Sequence, residues 1–246
     1  MSALRRPALF CAFDTPDLAI AEKLGQRLAG AVDGVKLGLE FFTARGPEGV
    51  RTLQRLGLPV FLDLKLHDIP NTVEGAARSA GMLGVQILTV HGSGGRAMLE
   101  AALKGVRAGA AEAGIEPPSV VAISVLTSLG ETELAEVGQT GPVAAQAERL
   151  ALLARAAGLA GIVGSAAEVA SFRRLLGPQA LLVVPGIRPA DAAVGDQKRV
   201  ATPGDAVRRG ADVLVVGRPI TAAADPAAAA RAIRQEMDQA LAGAHP

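Results

Sequence analysis

Short apolar runs alternate with longer amphipathic ones along the whole chain. Eight of the short runs read as strands: 8–14 (ALFCAFD), 34–38 (GVKLG), 60–66 (VFLDLKL), 86–92 (QILTVHG), 120–127 (VVAISVLT), 161–165 (GIVGS), 181–186 (LLVVPG) and 212–217 (DVLVVG). They are brief, rich in Val, Leu and Ile, and often closed by Gly, as buried strands are. The segments between them place Ala, Leu, Glu and Arg at helical spacing with Gly near their ends. Examples are 47–57 (PEGVRTLQRLG), 95–114 (GRAMLEAALKGVRAGAAEAG) and 142–158 (PVAAQAERLALLARAAG). Eight strand–helix units predict an α/β fold, the (β/α)8 TIM barrel. The main rival is a doubly wound open sheet, which usually carries a G-x-G-x-x-G turn after its first strand. Here the first strand runs into Phe13-Asp14-Thr15-Pro16 instead. With no linker or shift in composition, residues 1–246 are expected to form one catalytic domain.

Side chains two apart on a strand share a face. In the third strand Phe61, Asp63 and Lys65 therefore point one way, and Leu62, Leu64 and Leu66 the other. The leucine face should meet the helices, leaving Asp63 and Lys65 inside the barrel near its C-terminal mouth. Lys36, bracketed by Val35 and Leu37, should point inward as well. Asp14, His91, Thr127-Ser128 and Gly217-Arg218 stand at the ends of other strands. That mouth is where barrel enzymes keep their chemistry. Inward charges cost free energy unless paired, and Asp63 between Lys36 and Lys65 meets that need. Asp68 can add a fourth charge. The bland alternative is that these pairs merely plug the barrel. Asp68, just before Ile69-Pro70, could equally cap the next helix, although Asn71 with Glu74 makes a better capping box. His67 and His91 are weak signals on their own, since a histidine near a strand end is often only a satisfied structural group.

Composition narrows the class. Of 246 residues, 50% are hydrophobic, and 25 Lys and Arg against 24 Asp and Glu give a net charge of +1. Nothing in that balance suggests a nucleic-acid or membrane-surface binder, which would show a basic stripe or a large charge excess. No apolar run approaches a membrane span. Asp14 ends the first apolar run too early for a secretory signal. Cys11 is the only cysteine, so an intramolecular disulfide is impossible, which fits a reducing cytoplasm. The three histidines are His67, His91 and His245, and they suggest no histidine metal site.

The connection 185–211 after the seventh strand is long and holds Arg188, Gln197 and Gly204. Gly217-Arg218 follows the eighth strand. Loops after strands seven and eight are the usual phosphate site of barrel enzymes, and Arg adds a forked donor. A surface loop with ordinary arginines is the alternative. The long loop can also serve as a lid.

DLKLHDIPNT at 63–72 resembles the D-x-K-x-x-D-I-P-N-T signature of the orotidine 5′-phosphate decarboxylase family. The similarity continues through AFD at Asp14, VKLG at Lys36, VLTS at Thr127, PGIRP at Arg188, DQKR at Gln197 and VVGRPI at Gly217-Arg218, in family order. D-x-K-x-x-D alone is shared with related phosphosugar barrels, such as 3-keto-gulonate 6-phosphate decarboxylase, which stabilise an enediolate and need a divalent metal. The extensions are more specific. The resemblance implies a TIM barrel, a homodimer, no metal and no organic cofactor. It implies decarboxylation of orotidine 5′-phosphate to UMP and CO2, the last step of de novo UMP synthesis. It further implies Lys65 as proton donor within an array of Lys36, Asp63 and Lys65, completed by Asp68 of the partner subunit. Asp14 and Lys36 would hold the ribose hydroxyls, with the partner's Thr72 nearby. Thr127 would lie at the pyrimidine, assisted by Ser128. Arg188, Gln197, Gly217 and Arg218 would surround the phosphate.

Overall fold

In a computed structural model of the chain, which describes residues 6–189 and 201–243, eight parallel strands close into a barrel in sequence order. They are β1 (Ala8–Phe13), β2 (Gly34–Gly38), β3 (Val60–Leu66), β4 (Ile87–His91), β5 (Ser119–Ile123), β6 (Gly161–Val163), β7 (Leu181–Val184) and β8 (Val213–Val216). β1 pairs with both β2 and β8, closing the ring. This is the (β/α)8 barrel that the alternating pattern predicts. Among the described residues no helix is long and apolar enough to cross a membrane.

Alternation along the strands sorts the side chains into two cores. Val35, Leu37, Leu62, Leu88 and Val90 pack outward against the helices. Phe10, Phe61, Ile87, Val121 and Val215 fill the barrel's interior, where the rings of Phe10 and Phe61 meet edge to face at 6.1 Å. This inner plug is the floor on which the polar mouth rests.

Four local features depart from the sequence reading. The second helix spans Leu39–Gln54, starting well before residue 47. It breaks at Gly46 (φ 57°, ψ −159°) and restarts at Pro47, whose fixed φ and missing N–H suit a first helical turn. The helix after β3, Pro70–Gly81, has Ile69 at its N-cap and no side-chain cap. The expected Asn71–Glu74 capping box is therefore absent: Pro70 occupies the first turn and places Asn71 inside the helix. β5 ends at Ile123 rather than at residue 127. Ser124 gives both its N–H and its hydroxyl proton to the Val163 carbonyl, at 3.0 and 2.8 Å, and the chain then leaves the ladder. Finally, strict alternation fails in β3. Leu62 pairs with Leu88 but Leu66 pairs with Val90, so β3 carries extra residues opposite Thr89. Lys65 lies in this bulge with φ 51°, the one described non-glycine residue at positive φ.

The helices Pro70–Gly81 and Gly95–Ala113 approach backbone to backbone. A methyl group on Gly105 would overlap the Glu74 carbonyl oxygen, and one on Gly109 would overlap that of Arg78. Only glycine permits this contact.

Candidate active site

A cavity of about 450 Å³ opens at the C-terminal mouth of the barrel. Its floor is apolar, with Phe61, Ile123, Val163 and Val215. Asp14, Lys36, Asp63 and Lys65 line one side, and Arg188, Gly217 and Arg218 line another. Strands β3 and β7 face each other across an eight-membered ring. The cavity therefore runs from a mixed-charge wall at β3 to Arg188 after β7, and Gly217-Arg218 after β8 adjoin the Asp14 end of that wall.

The mixed-charge wall is a chain of alternating sign. Asp63 Oδ2 takes the Lys65 ammonium at 2.7 Å and the Lys36 ammonium at 3.4 Å. Lys36 also reaches Asp14 Oδ1 at 3.4 Å. The side chains of Asp63 and Lys36 are each 11% exposed, that of Lys65 28%, and that of Asp14 65%. Each buried charge thus has an opposite partner, which is the condition for holding charge in a low-dielectric site. Burial alone would push the Asp63 carboxyl up. The charges of Lys36 and Lys65, with hydrogen bonds from Lys65 and Thr89, outweigh burial and hold it below the usual carboxylate range. Gly38 keeps the space beside Lys36 open, because a Cβ there would lie 3.1 Å from the ammonium nitrogen.

The bulge in β3 sets the aim of Lys65. A non-glycine residue in the left-handed region costs roughly 1–2 kcal/mol, and such strain persists only where neighbours fix the backbone. Here Thr89 Oγ1 accepts the Lys65 N–H at 2.9 Å and donates to Asp63 Oδ1 at 2.9 Å. Thr89 is fully buried. The sequence reading missed it. The available signal was its place on the inward face of β4, sharing a side with Ile87 and His91 while Leu88 and Val90 face out.

The remaining candidates fall as follows. Thr127 lines the cavity, from the loop after β5 rather than from a strand. Arg188 is 8% exposed, and its guanidinium donates to the Ile187 carbonyl at 3.1 Å. Gly217 N-caps the short helix Arg218–Thr221. Asp68, Thr72 and Ser128 do not line this cavity. Asp68 and Thr72 are exposed, and Asp68 Oδ1 accepts its neighbour's N–H, from Ile69 at 2.6 Å. Gln197 lies outside the described residues. His67 and His91 stack near the mouth with ring centroids 5.2 Å apart. Burial, then the charges of His67 and Lys65, lower the His91 pKa against the opposing pull of Asp63. Burial pushes the Cys11 thiol up to about 12, with Asp14 adding to the rise and Lys36 opposing it, so it is no nucleophile.

Comparison with known proteins follows the same lines. A family model described as orotidine 5′-phosphate decarboxylase / HUMPS matches residues 7–233. An orotidine 5′-phosphate decarboxylase from Paramagnetospirillum magneticum is 54% identical over 229 residues, covering 93% of this chain and 97% of that protein. One from Anaeromyxobacter sp. strain K is 57% identical over 222 residues, covering 90% and 94%. The crystal structure of orotidine 5′-phosphate decarboxylase from Lactobacillus acidophilus superposes with a TM-score of 0.81 at 37% identity, covering 95% of this chain and 99% of that one. A lysine–aspartate array at the mouth of a parallel barrel, and a match along nearly the whole length, agree: the chain belongs to the orotidine 5′-phosphate decarboxylase / HUMPS family.

Proposed function

We propose that the chain converts orotidine 5′-phosphate into UMP and CO2, with the Lys65 ammonium stabilising and then protonating the C6 carbanion. The decarboxylase activity follows from the family and from relatives of that name matched over nearly their full length. The assignment of Lys65 is supported chiefly by one observation, an ammonium fixed 2.7 Å from a buried carboxylate and facing the cavity.

When the bond between C6 and the carboxylate breaks, CO2 leaves and the electron pair stays on C6. That pair lies in the ring plane and cannot delocalise into the π system. A fixed positive charge in a dry site is what lowers its energy. A proton of the Lys65 ammonium then passes to C6, giving UMP, and the lysine regains its proton from water. Asp63 holds the ammonium in place. It also crowds the substrate carboxylate, a ground-state effect we treat as secondary.

The phosphate is assigned to Arg188, Gly217 and Arg218, with Gln197 from the segment beyond the described residues. Binding energy gained there can drive closure and expel water. Lys36 and Asp14 are assigned to the ribose hydroxyls, and Thr127, with Ser128, to the pyrimidine. Asp68 and Thr72 are assigned to the neighbouring site of a homodimer. Their exposure, outside their own chain's cavity and beside the 66% exposed Ile69, supports that placement.

Lys65→Ala tests the central assignment. CO2 release from carboxyl-labelled orotidine 5′-phosphate should drop to background while UMP still binds by calorimetry. Retained turnover would remove Lys65 as the donor.

A further inference from the structure

The bulge in β3 creates two local problems that the strand ladder cannot solve. Three residues, Asp63, Leu64 and Lys65, stand opposite the single residue Thr89. The Lys65 N–H, in a residue with φ 51°, meets the Thr89 side chain. The Asp63 carboxylate must also be held against rotation, so that one oxygen faces both ammonium groups. Two long, mobile lysine chains are poor anchors for that purpose.

One hydroxyl answers both needs. Thr89 Oγ1 has one proton and two lone pairs. The proton goes to Asp63 Oδ1 and a lone pair takes the Lys65 N–H, each at 2.9 Å. Asp63 Oδ2 is thereby left to the ammonium groups of Lys65 and Lys36. The hydroxyl thus ties the first residue of the bulge to the last. Thr89 is fully buried, so water is poorly placed to replace it. Resting on the role proposed for Lys65, we infer that Thr89 is a positioning residue for the decarboxylation, its hydroxyl fixing the direction of the Lys65 ammonium through Asp63 and the Lys65 main chain. Thr89 need not touch the substrate to do this.

Thr89→Val and Thr89→Ser separate the hydroxyl from the methyl group. With Thr89→Val, kcat should fall by roughly tenfold to a hundredfold, the span of one lost buried hydrogen bond to a charged group. KM and the Kd for UMP should change by less than about threefold. Thr89→Ser should recover most of the loss. A packing role predicts the reverse order, with Val tolerated and Ser, lacking the methyl, impaired. Thermal melts show whether each variant folds. If Thr89→Val does not fold, Thr89→Cys takes its place, with a thiol of similar size and weak bonding, and the expected order of kcat is Ser above Cys. A Val or Cys variant as active as the parent, or a Ser variant as impaired as they are, overturns the inference. Lys65→Ala runs in parallel. Should it retain turnover, the proposed role of Lys65 fails and the inference falls with it. If Lys65→Ala is inactive while Thr89→Val matches the parent, only the inference about Thr89 fails.

Discussion

Asp63→Asn is the substitution that most directly weighs the charged array, because it removes one charge and almost no volume. At an effective dielectric near 20, a unit charge 2.7 Å from Asp63 Oδ2 (Lys65) is attracted by about 6 kcal/mol, and one at 3.4 Å (Lys36) by about 5 kcal/mol. The two ammonium groups share that oxygen, so they lie within about 6 Å of each other and repel by about 3 kcal/mol or more at the same dielectric. Neutralising the carboxylate leaves that repulsion uncompensated. Lysine movement and entering water recover most of the gross figure. Breaking one member of a buried pair typically costs about 3–5 kcal/mol net. Because the same mispairing displaces the Lys65 ammonium in the transition state, a cost of this size corresponds, at about 1.4 kcal/mol per decade, to roughly a 10²- to 10⁴-fold loss in kcat/KM. The assay is the change in ultraviolet absorbance as orotidylate becomes UMP, with the Kd for UMP measured alongside. A loss below tenfold would mean that the Lys65 ammonium is held by something other than Asp63. A loss confined to UMP affinity, with kcat unchanged, would make Asp63 a binding group and refute the reasoning equally.

Arg218→Ala should cut kcat/KM for the phosphorylated substrate by roughly 10- to 100-fold, the range for a lost hydrogen bond to a charged group, and barely affect the bare nucleoside; equal losses would argue against a phosphate role. Mixing Lys65→Ala with Asp68→Ala protein, under conditions where subunits exchange, should restore part of the activity that each lacks alone, while no recovery would leave each subunit self-contained. The lowered pKa of His91 gives a signed prediction for stability. Its neutral form is favoured in the fold, so its contribution is complete above the ordinary value of 6.5 and lost as pH falls from there through the folded value. Thermal melts of His91→Gln should accordingly lose less stability between about pH 7 and pH 5 than those of the parent, and identical slopes would refute this. The carboxyl of Asp63 is also held low, and its contribution is likewise complete above 3.8 and lost as pH falls through its lower folded value.

The barrel was legible because parallel strands buried on both faces leave short Val-, Leu- and Ile-rich runs, and the helices between them keep their own period. The inward aim of Lys36 followed from Val35 and Leu37 alone. Lys65 was placed on the correct side by a rule that does not hold locally. Alternation cannot register a bulge, and the left-handed turn at Lys65 leaves no mark in a sequence window. Thr89 was missed for a related reason. A threonine inside QILTVHG is an ordinary β-former, and its importance appears only when β4 is laid against the bulge. Thr127 was read onto a strand because nothing in VVAISVLT announces that Ser124 gives its donors to the neighbouring strand. Asp68 and Thr72 could be named from the resemblance. Their distance from the cavity of their own chain depends on where Pro70 starts the helix, which the favourable capping signal at Asn71 concealed.

The glycine seam has a bearing on Lys65 that distance along the chain conceals. Gly105 and Gly109 let the helix Gly95–Ala113 lie directly on the helix Pro70–Gly81, whose first turn begins five residues after Lys65. Swelling that seam would lever the corner between β3 and its helix outward, and with it the backbone of Lys65. Two methyl groups that the chain never acquired therefore help to set where the Lys65 backbone stands.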